Sequence, residues 1–175
     1  GDYTVGVLVQ ANFGGRDQLR IDGVPVGREI PEAMPDIKSN AGIDEAHEGR
    51  LQRLVPVRVG RMMASPYAFL RGSAALMAED FAHLPRTGVE PVICGDAHLG
   101  NFGFYASPER DLVFDLNDFD EAHPGGWEWD LRRLAASIWV AGRHNGTSED
   151  HCGNAVRSCV ASYRLELRRL ADLPL

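Results

Sequence analysis

Apolar residues recur at helical spacing in three stretches of the chain. Ser65-Pro66 supplies an N-cap and a proline at the first helical position, so the first stretch predicts one amphipathic helix of about 19 residues. A second helix is predicted from Trp127 to Asn145-Gly146, and a third after the cap Ser148. The residues expected to face inward on the three helices are Leu70, Ala74, Met77, Phe81 and Leu84; Leu131, Leu134, Ile138 and Ala141; and Cys152, Val156, Cys159, Tyr163, Leu167 and Leu170.

Shorter runs rich in β-branched and aromatic residues predict strands. Residues 91–94 have the character of a buried strand, and residues 101–105 and 112–116 predict a hairpin with its turn at 107–111. Residues 54–59 predict a further extended segment. Because the hairpin follows soon after the strand at 91–94, the polar side chains that interrupt these runs are expected at one edge of a small sheet.

The first 42 residues differ in character from the rest of the chain. Tyr3–Gln10 predicts a strand, Asn12–Gly15 a turn, and the short runs that flank Asp22-Gly23 a hairpin. Two prolines, several polar residues and a glycine over residues 30–42 predict a linker. The sequence therefore predicts a boundary between two units near residues 38–42.

Eight potential oxygen or nitrogen ligands fall within 26 residues of the predicted sheet. They are Asp96, His98, Asn101, Asp115, Asn117, Asp118, Asp120 and Glu121. Carboxylates in a partly buried site are costly without a cation, and hard oxygen ligands suit magnesium, which takes one or two carboxylates together with substrate phosphates. A carboxylate followed five residues later by an amide is also what a phosphoryl-transfer loop needs. Asp96 is therefore predicted to orient an attacking hydroxyl, and Asn101 to bind metal.

A second metal carboxylate is expected from the strand that follows or from the turn beyond it. The spacing back to Asn101 favours Asp115, whereas the spacing forward to Asp130 favours Asp118. We predict Asp118 as the main ligand and keep Asp115 and Asp120 as further metal candidates. Asp120 is equally consistent with an exposed bend.

Other polar residues near the predicted site have both a functional and a structural interpretation. His98 joins Asp96 as a catalytic candidate, and bracing of the loop by a hydrogen bond is favoured over metal binding. Asp130 is expected to anchor the loop by hydrogen bonding. Arg71 either contacts a phosphate, as a nucleotide-binding residue, or lies on a solvated helix face with Glu79. Solvated faces are expected for five further arginines: Arg132, Arg133, Arg164, Arg168 and Arg169.

Cys-Gly-Asp-Ala-His-Leu-Gly-Asn at 94–101 resembles the catalytic loop of the aminoglycoside-phosphotransferase branch of the protein-kinase-like superfamily, with Cys94 in place of a histidine. Asn-Asp-Phe-Asp-Glu-Ala at 117–122 resembles the metal-binding segment of those proteins, and Trp-Asp-Leu at 129–131 resembles the opening of their next helix. More closely, residues 42–175 resemble a bacterial family of unknown function, family 2252, through Arg-Met-x-x-Ser-Pro-Tyr, Phe-x-Arg-Gly, Cys-Gly-Asp-x-His and Asn-Asp-Phe-Asp-Glu. The resemblance implies ATP as phosphoryl donor and magnesium as cofactor.

The N-terminal segment resembles a different family. Tyr-Thr-Val-Gly-Val-Leu-Val-Gln-Ala-Asn-Phe-Gly and the following Gly-Val-Pro-Val-Gly-Arg-Glu are similar to the segment upstream of the self-processing site in N-terminal-nucleophile aminopeptidases of the DmpA type. The resemblance implies that Asn12 corresponds to a residue lining their active site. The nucleophilic serine has no counterpart next to this segment, because Ser39 follows Lys38 and no strand comes after it. Peptidase activity is therefore not expected.

The predicted fold class is α+β: a partial protein-kinase-like domain with a small antiparallel sheet carrying the catalytic loop, packed on several helices, and a short β N-terminal appendage. Residues 1–38 are the aminopeptidase-like segment with its linker, and residues 42–175 the partial kinase-like domain. The sequence contains no Gly-x-Gly-x-x-Gly, no Walker loop and a single lysine, Lys38. Since the resemblance implies a glycine-rich loop and a lysine further downstream, we expect a kinase-like domain truncated at its C-terminus.

Composition limits the class of partner. The 175 residues carry a net charge of −7 with 44% hydrophobic and 25% charged residues, which is ordinary for a globular protein and disfavours a broad basic face for nucleic acid. No apolar run is long enough for a membrane span and no signal peptide is visible, so a cytoplasmic protein is expected. Three hypotheses follow: a magnesium-dependent phosphotransferase acting on a small-molecule or protein hydroxyl, a non-catalytic module binding a cation or a basic partner, and an aminopeptidase-related fragment. Oligomeric state stays open.

Overall fold

The computed structural model describes residues 49–173 and the backbone of two short segments, 20–21 and 24–25. The described residues are mostly helical, with small antiparallel sheets. The strands are β1 Arg20–Ile21, β2 Val24–Pro25, β3 Val92–Ile93, β4 Phe102–Ala106, β5 Leu112–Leu116 and β6 His123–Pro124. The helices are α1 Val55–Met62, α2 Pro66–Gly72, α3 Ala74–Ala82, α4 Trp127–His144 and α5 Glu149–Ala171, with 3-10 turns at Gln52–Leu54 and Leu99–Asn101.

Several predictions for the N-terminal part lie outside the described residues. These are the strand Tyr3–Gln10, the turn Asn12–Gly15, the linker over 30–42 and the boundary near 38–42. The hairpin about residues 22–23 is confirmed by its strands, since β1 pairs antiparallel with β2 and Ile21 lies opposite Val24.

The extended segment predicted over 54–59 is wrong, because residues 55–62 form helix α1. Pro56 lies in the first turn, where the missing N–H of proline costs no hydrogen bond. Contacts distant in sequence then stabilise the helix: Val59 packs against Leu76, and the Arg58 Nη2 donates to the Gly72 carbonyl at 2.9 Å. The β-branched residues that suggested a strand are therefore overruled by tertiary packing.

The single helix predicted after Ser65 is divided into α2 and α3 at Ser73. The cap prediction is confirmed, since the Ser65 hydroxyl accepts a hydrogen bond from the Ala68 amide at 3.1 Å. At the break, the amide and the hydroxyl of Ser73 both donate to the Leu70 carbonyl at 3.2 Å. A Cβ on Gly72 would lie 2.5 Å from Met62 Cγ, so a glycine here lets α1 approach the end of α2 closely.

The main core lies between α4 and α5. Ala135 and Trp139 of α4 pack against Cys152, Val156 and Val160 of α5, and all five are almost fully buried. Leu70 of α2 and Phe81 of α3 complete this core. The predicted bounds of both helices are confirmed, including an end of α4 at Asn145 followed by Gly146 with φ of +75°.

The predicted inward stripe of α5 holds only for its first half. Cys152 and Val156 are buried and Cys159 is partly buried, whereas Tyr163, Leu167 and Leu170 are exposed. Tyr163 still stacks on Trp127 of α4, with ring centres 5.8 Å apart, but helical periodicity alone overestimated the buried face.

Two further antiparallel pairs flank the helices. β4 pairs with β5, so that Gly103 lies opposite Asp115, and the hairpin predicted over 101–116 is confirmed. β3 pairs with β6. The strand predicted at 91–94 is buried only in part, since Ile93 is buried but the Val92 side chain is 74% exposed. Within the part of the chain that the structure describes, no helix is both long and apolar enough to span a bilayer.

Candidate functional site

The loop at residues 94–101, here called the Asp96 loop, lies along one face of helix α4. Three polar side chains hold it, and they are spaced at i, i+3 and i+7: Asp130, Arg133 and Ser137. Residues at this spacing share one face of a helix. The loop therefore follows the helix, each turn of which fixes the next part of the loop.

Asp130 anchors the beginning of the Asp96 loop. Its two carboxylate oxygens accept hydrogen bonds from the amides of Cys94 at 2.7 Å and Gly95 at 2.9 Å. Burial raises the pKa of Asp130, while the two amide hydrogen bonds act in the opposite direction. The prediction that Asp130 anchors the loop by hydrogen bonding is confirmed.

Arg133 holds Asp96 itself. Its Nε donates directly to Asp96 Oδ1, and the two side chains form an ion pair in which Arg133 is only 2% exposed. Burial raises the pKa of Asp96, and the charge and hydrogen bond of Arg133 lower it. The expected solvated position of Arg133 is wrong, because a buried carboxylate needs a partner and Arg133 is that partner.

Arg132 is also not on a solvated face. Its Nη2 donates to the Pro85 carbonyl at 2.9 Å, its guanidinium lies 5.9 Å from the centre of the Phe81 ring, and burial lowers its pKa. The same expectation is confirmed for the three arginines at the exposed end of α5, Arg164, Arg168 and Arg169.

The far end of the Asp96 loop is fixed by Asn101 and Ser137. The Leu99 amide donates to the Ser137 hydroxyl at 2.8 Å, and the Asn101 Nδ2 donates to the Asp96 carbonyl at 2.8 Å. Asn101 is 7% exposed. With its nitrogen used inside the loop, the amide oxygen of Asn101 is the group left for an external ligand.

His98 lies beneath the carboxylate of Asp96. The His98 Nε2 is 3.7 Å from Asp96 Oδ2, too far for a hydrogen bond, and the ring is 2% exposed. Burial, followed by the positive charges of Arg133 and Arg71, lowers the pKa of His98 from 6.5 to about 4. His98 is therefore neutral at pH 7, and its buried Nδ1 finds no partner in the described part of the chain.

The turn at residues 117–122 covers the Asp96 loop on its other side. The Cys94 thiol donates to the Asp118 carbonyl at 3.1 Å, and the Glu121 carbonyl oxygen comes so close to Gly95 that a Cβ there would overlap it. Gly95 also has φ of +80°, a conformation that favours glycine. Burial raises the pKa of Glu121, and the charges of Asp96, Asp118 and Asp120 raise it further. The structure thus brings these carboxylates close to one another.

The candidate metal residues separate into two groups. Asp118 lies near enough to Asp96 for its charge to raise the pKa of that residue, and Asp120 lies in the same turn as Asp118. Asp115 lies instead in β5 opposite Gly103, and its Oδ1 accepts a hydrogen bond from the adjacent Leu116 amide at 2.8 Å. The geometry therefore places Asp118 beside the Asp96 loop and Asp115 within the β4–β5 hairpin.

Two arginines face the site from the first helices. Arg71 lies exposed in the last turn of α2, and its positive charge lowers the pKa of both Asp96 and His98. Arg58 of α1 was not predicted as a site residue; burial lowers its pKa, while the charges of Glu121 and Asp96 act to raise it. Arg58 lies within the segment for which a strand was expected and which forms helix α1.

The donor chemistry fits a magnesium ion held by few protein ligands. Within residues 49–173 no group of three or more His, Cys, Asp or Glu side chains gathers closely enough to form a protein cage for a metal. Magnesium does not need one, since it retains several waters and uses one or two carboxylates with substrate phosphates. The oxygen of Asn101 and the exposed carboxylate of Asp118 are the hard oxygen donors that would hold such an ion.

Two protein families match the chain. Residues 50–175 match DUF2252, whose members are described as uncharacterized proteins conserved in bacteria, and residues 1–94 match peptidase family S58. The second match extends beyond the segment of 1–38 that the sequence motifs indicated, and the two matches share residues 50–94.

The curated relatives resemble only a short part of the chain. Beta-peptidyl aminopeptidase BapA of Sphingosinicella xenopeptidilytica is 63% identical over 35 residues, which are 20% of this chain and 9% of that protein. The enzyme of the same name from Sphingosinicella microcystinivorans is 68% identical over 28 residues, 16% of this chain and 7% of that protein. The chain thus spans less than a tenth of the length of either relative. No solved structure matches the chain. By its family matches the chain belongs to DUF2252 through residues 50–175 and to peptidase family S58 through residues 1–94.

Proposed function

We propose that the Asp96 loop and the turn at 117–122 are the base and metal half of a kinase-like phosphotransfer site. The observation that carries the proposal is the joint placement of Asp96 and Asn101 in one loop, which is anchored by Asp130 and covered by the segment that carries Asp118. Phosphoryl transfer requires little from a protein beyond a positioned carboxylate, metal ligands and compensating charge. In this proposal Asp96 is the positioned carboxylate, Asn101 and Asp118 are the metal ligands, and Arg71 supplies the compensating charge.

In this proposal Asp96 accepts a hydrogen bond from the hydroxyl of the acceptor and takes its proton. The hydroxyl oxygen forms a bond to the γ-phosphorus of ATP while the bond between that phosphorus and the bridging oxygen of ADP breaks. Asn101 and Asp118 would hold magnesium, which neutralises the charge of the phosphates. Arg71 would contact a phosphate, and His98, neutral at pH 7, would support the loop from beneath.

The acceptor is proposed as a hydroxyl of a small molecule or a protein. The glycine-rich loop and strand lysine that cover nucleotide phosphates in kinases do not occur in the 175 residues. We therefore expect this chain to bind magnesium and nucleotide more weakly than a complete kinase.

The test is a thermal-melt titration of the chain with ATP, with and without magnesium. Ligand at a hundred times its Kd stabilises a protein by about 2.7 kcal/mol, and an increase in Tm that requires magnesium is expected. Asp118→Asn should abolish this increase. Asp115→Asn is the matched control, because Asp115 lies on β5, and this variant should retain the increase. An equal increase with Asp118→Asn, or none with the wild-type chain, contradicts the proposal.

The S58 match favours a second candidate, an aminopeptidase-related fragment. The named relatives are β-peptidyl aminopeptidases, and enzymes of the N-terminal-nucleophile type need a serine freed at a Gly-Ser bond. The one Gly-Ser bond of this sequence, Gly72-Ser73, joins α2 to α3 and is followed by a helix instead of a strand. Intact-mass measurement tests this candidate, because self-processing would divide the chain after Gly72. An uncut chain without activity on a β-alanyl anilide would exclude it.

The exposed carboxylates favour a third candidate, a non-catalytic module. Asp118, Asp120 and Glu121 form an acidic edge beside the Asp96 loop, which would attract a cation or a basic partner. Calcium or magnesium that raises the Tm equally with and without ATP would favour this module over phosphotransfer.

A further inference from the structure

The guanidinium of Arg133 connects three parts of the molecule. Its Nε bonds to Asp96 Oδ1, its Nη2 donates to the Leu70 carbonyl at 2.9 Å, and its Nη1 donates to Met77 Sδ at 3.2 Å. These partners lie in the Asp96 loop, α2 and α3. Because the fork of a guanidinium is planar and rigid, the contacts fix its orientation.

The Leu70 carbonyl is the junction between α2 and α3. It accepts hydrogen bonds from the Ser73 amide and hydroxyl as well as from Arg133. Arg71 is the next residue along the chain, so the same contact fixes the helix end from which the Arg71 side chain extends. Arg133 therefore holds, from within the protein, both the backbone that carries Arg71 and the carboxylate of Asp96.

The two oxygens of the Asp96 carboxylate are not equivalent. Oδ1 is occupied by Arg133, whereas Oδ2 lies 3.7 Å from His98 Nε2 and makes no hydrogen bond with it. Rotation of the carboxylate would break the bond to a guanidinium that is only 2% exposed, at the cost of leaving a buried donor unpaired. Oδ2 is thus kept as the oxygen available to a hydroxyl.

We propose that Arg133 is the positioning residue of this site: it sets the distance and orientation between the Asp96 carboxylate and the Arg71 side chain. The inference rests on the proposed phosphotransfer function and assigns Arg133 no contact with substrate. A lysine at this position would keep the charge and lose the fork, since an ammonium is a compact point charge that cannot bridge three separate acceptors in one plane.

The first test concerns the contact and is independent of any activity. In nitrogen-proton correlation spectra of the whole wild-type chain, assigned through the backbone, the Arg133 Nε–H should persist in heavy water, whereas that of the exposed Arg164 should exchange at once. In Asp96→Asn the Arg133 signal should move upfield and exchange faster. An Arg133 Nε–H that exchanges as fast as that of Arg164 in the wild-type chain overturns the inference, whatever ATP does.

The second test separates positioning from stability. With Mg-ATP and a screened acceptor, Arg133→Lys should lower kcat by about 100-fold, the cost of a misplacement of about 1 Å, while KM for ATP is unchanged. The matched control is Arg132→Lys, an adjacent half-buried arginine whose partners are Pro85 and Phe81, and it should leave both constants unchanged. If the kcat of Arg133→Lys returns to the wild-type value at lower temperature, the loss reflects stability alone, and the inference is overturned. If the wild-type chain shows no magnesium-dependent nucleotide binding, the proposed phosphotransfer function is wrong. The spectra report separately on the contact between Arg133 and Asp96, so the two failures can be told apart.

Discussion

The carboxylate of Asp130 accepts a hydrogen bond from the amide of Cys94 at 2.7 Å, across 36 residues of sequence. A second bond, from Gly95 at 2.9 Å, makes Asp130 a bidentate acceptor for two consecutive amides. The bond ties the first turn of α4 to the end of β3, and so fixes the point at which the Asp96 loop begins. The position at which the Asp96 loop begins therefore depends on a carboxylate that would not touch substrate.

Asp130→Asn is expected to reduce the free energy of unfolding by about 1–3 kcal/mol, because the asparagine amide nitrogen would oppose one of the two backbone donors. Urea denaturation followed by circular dichroism measures the change. Glu79→Gln, the same loss of charge at an exposed position of α3, should stay within about 0.5 kcal/mol of wild type. Equal effects of the two substitutions would show that the anchor contributes nothing.

Gly95→Ala tests the contact between the Asp96 loop and the turn at 117–122. Both a positive φ and the Glu121 carbonyl oppose a Cβ at this position. Gly88 is the matched control, since it has φ of +83° and no atom within 4 Å of an added Cβ. Gly88→Ala should cost about 1 kcal/mol for the backbone conformation alone, and Gly95→Ala at least about 2 kcal/mol by urea denaturation. Equal costs would mean that the two loops are not in contact.

Local signals in the sequence were sufficient for the elements that carry the site. The start of α5 after Ser148, the end of α4 near Gly146 and the hairpin over 101–116 depend on residues close to one another, and the structure confirms them, although the Ser148 side chain makes no capping hydrogen bond. Arg133 was misplaced for the opposite reason. Its burial depends on Asp96, which lies 37 residues away, and an arginine in a helix is by default exposed. The spacing of Asp130, Arg133 and Ser137 at i, i+3 and i+7 was the available signal.

The break at Ser73 and the helix α1 also depend on contacts between residues distant in sequence, which local patterns do not reveal. The apolar period continues across Ser73 because α2 and α3 both face the core, so the pattern contains no sign of the interruption. At the break between α2 and α3, the Leu70 carbonyl accepts hydrogen bonds from Ser73 and Arg133. In α1, a contact between Arg58 and Gly72 overrules the strand preference of the valines.

His98 predicts a pH dependence of stability. Its pKa is lowered from 6.5 to about 4 in the folded chain, so the unfolded chain binds the proton more readily between these values. The contribution of the neutral ring is fully present above pH 6.5 and is lost as the pH falls through about 4, by about 3 kcal/mol in total. Urea denaturation at a series of pH values measures this change.

The raised pKa values of Asp96 and Asp130 have the opposite effect on stability as the pH falls, because they favour proton binding by the folded chain. The His98 contribution is therefore obtained as a difference between the wild-type chain and His98→Gln. The matched control is His144→Gln, which replaces a histidine at an exposed position at the end of α4. A profile of His98→Gln parallel to that of wild type between pH 4 and 6.5 would contradict the prediction.

The ion pair of Asp96 and Arg133 should give a strongly non-additive double-mutant cycle. Either single substitution, Asp96→Asn or Arg133→Met, leaves one buried partner without compensation and is expected to cost about 3–5 kcal/mol of unfolding free energy. The double variant removes both charges, so its cost should fall below the sum of the singles by about 1–3 kcal/mol. The surface pair Arg169 and Glu166, both more than half exposed, is the control, with an expected coupling below about 1 kcal/mol. Additive costs at Asp96 and Arg133 would mean that the two groups do not form a pair in solution. A coupling near 3 kcal/mol would mean that any variant of Asp96 alters the packing of α2 and α4 as well as the proposed base, and that loss of activity in such a variant is interpretable only beside its stability.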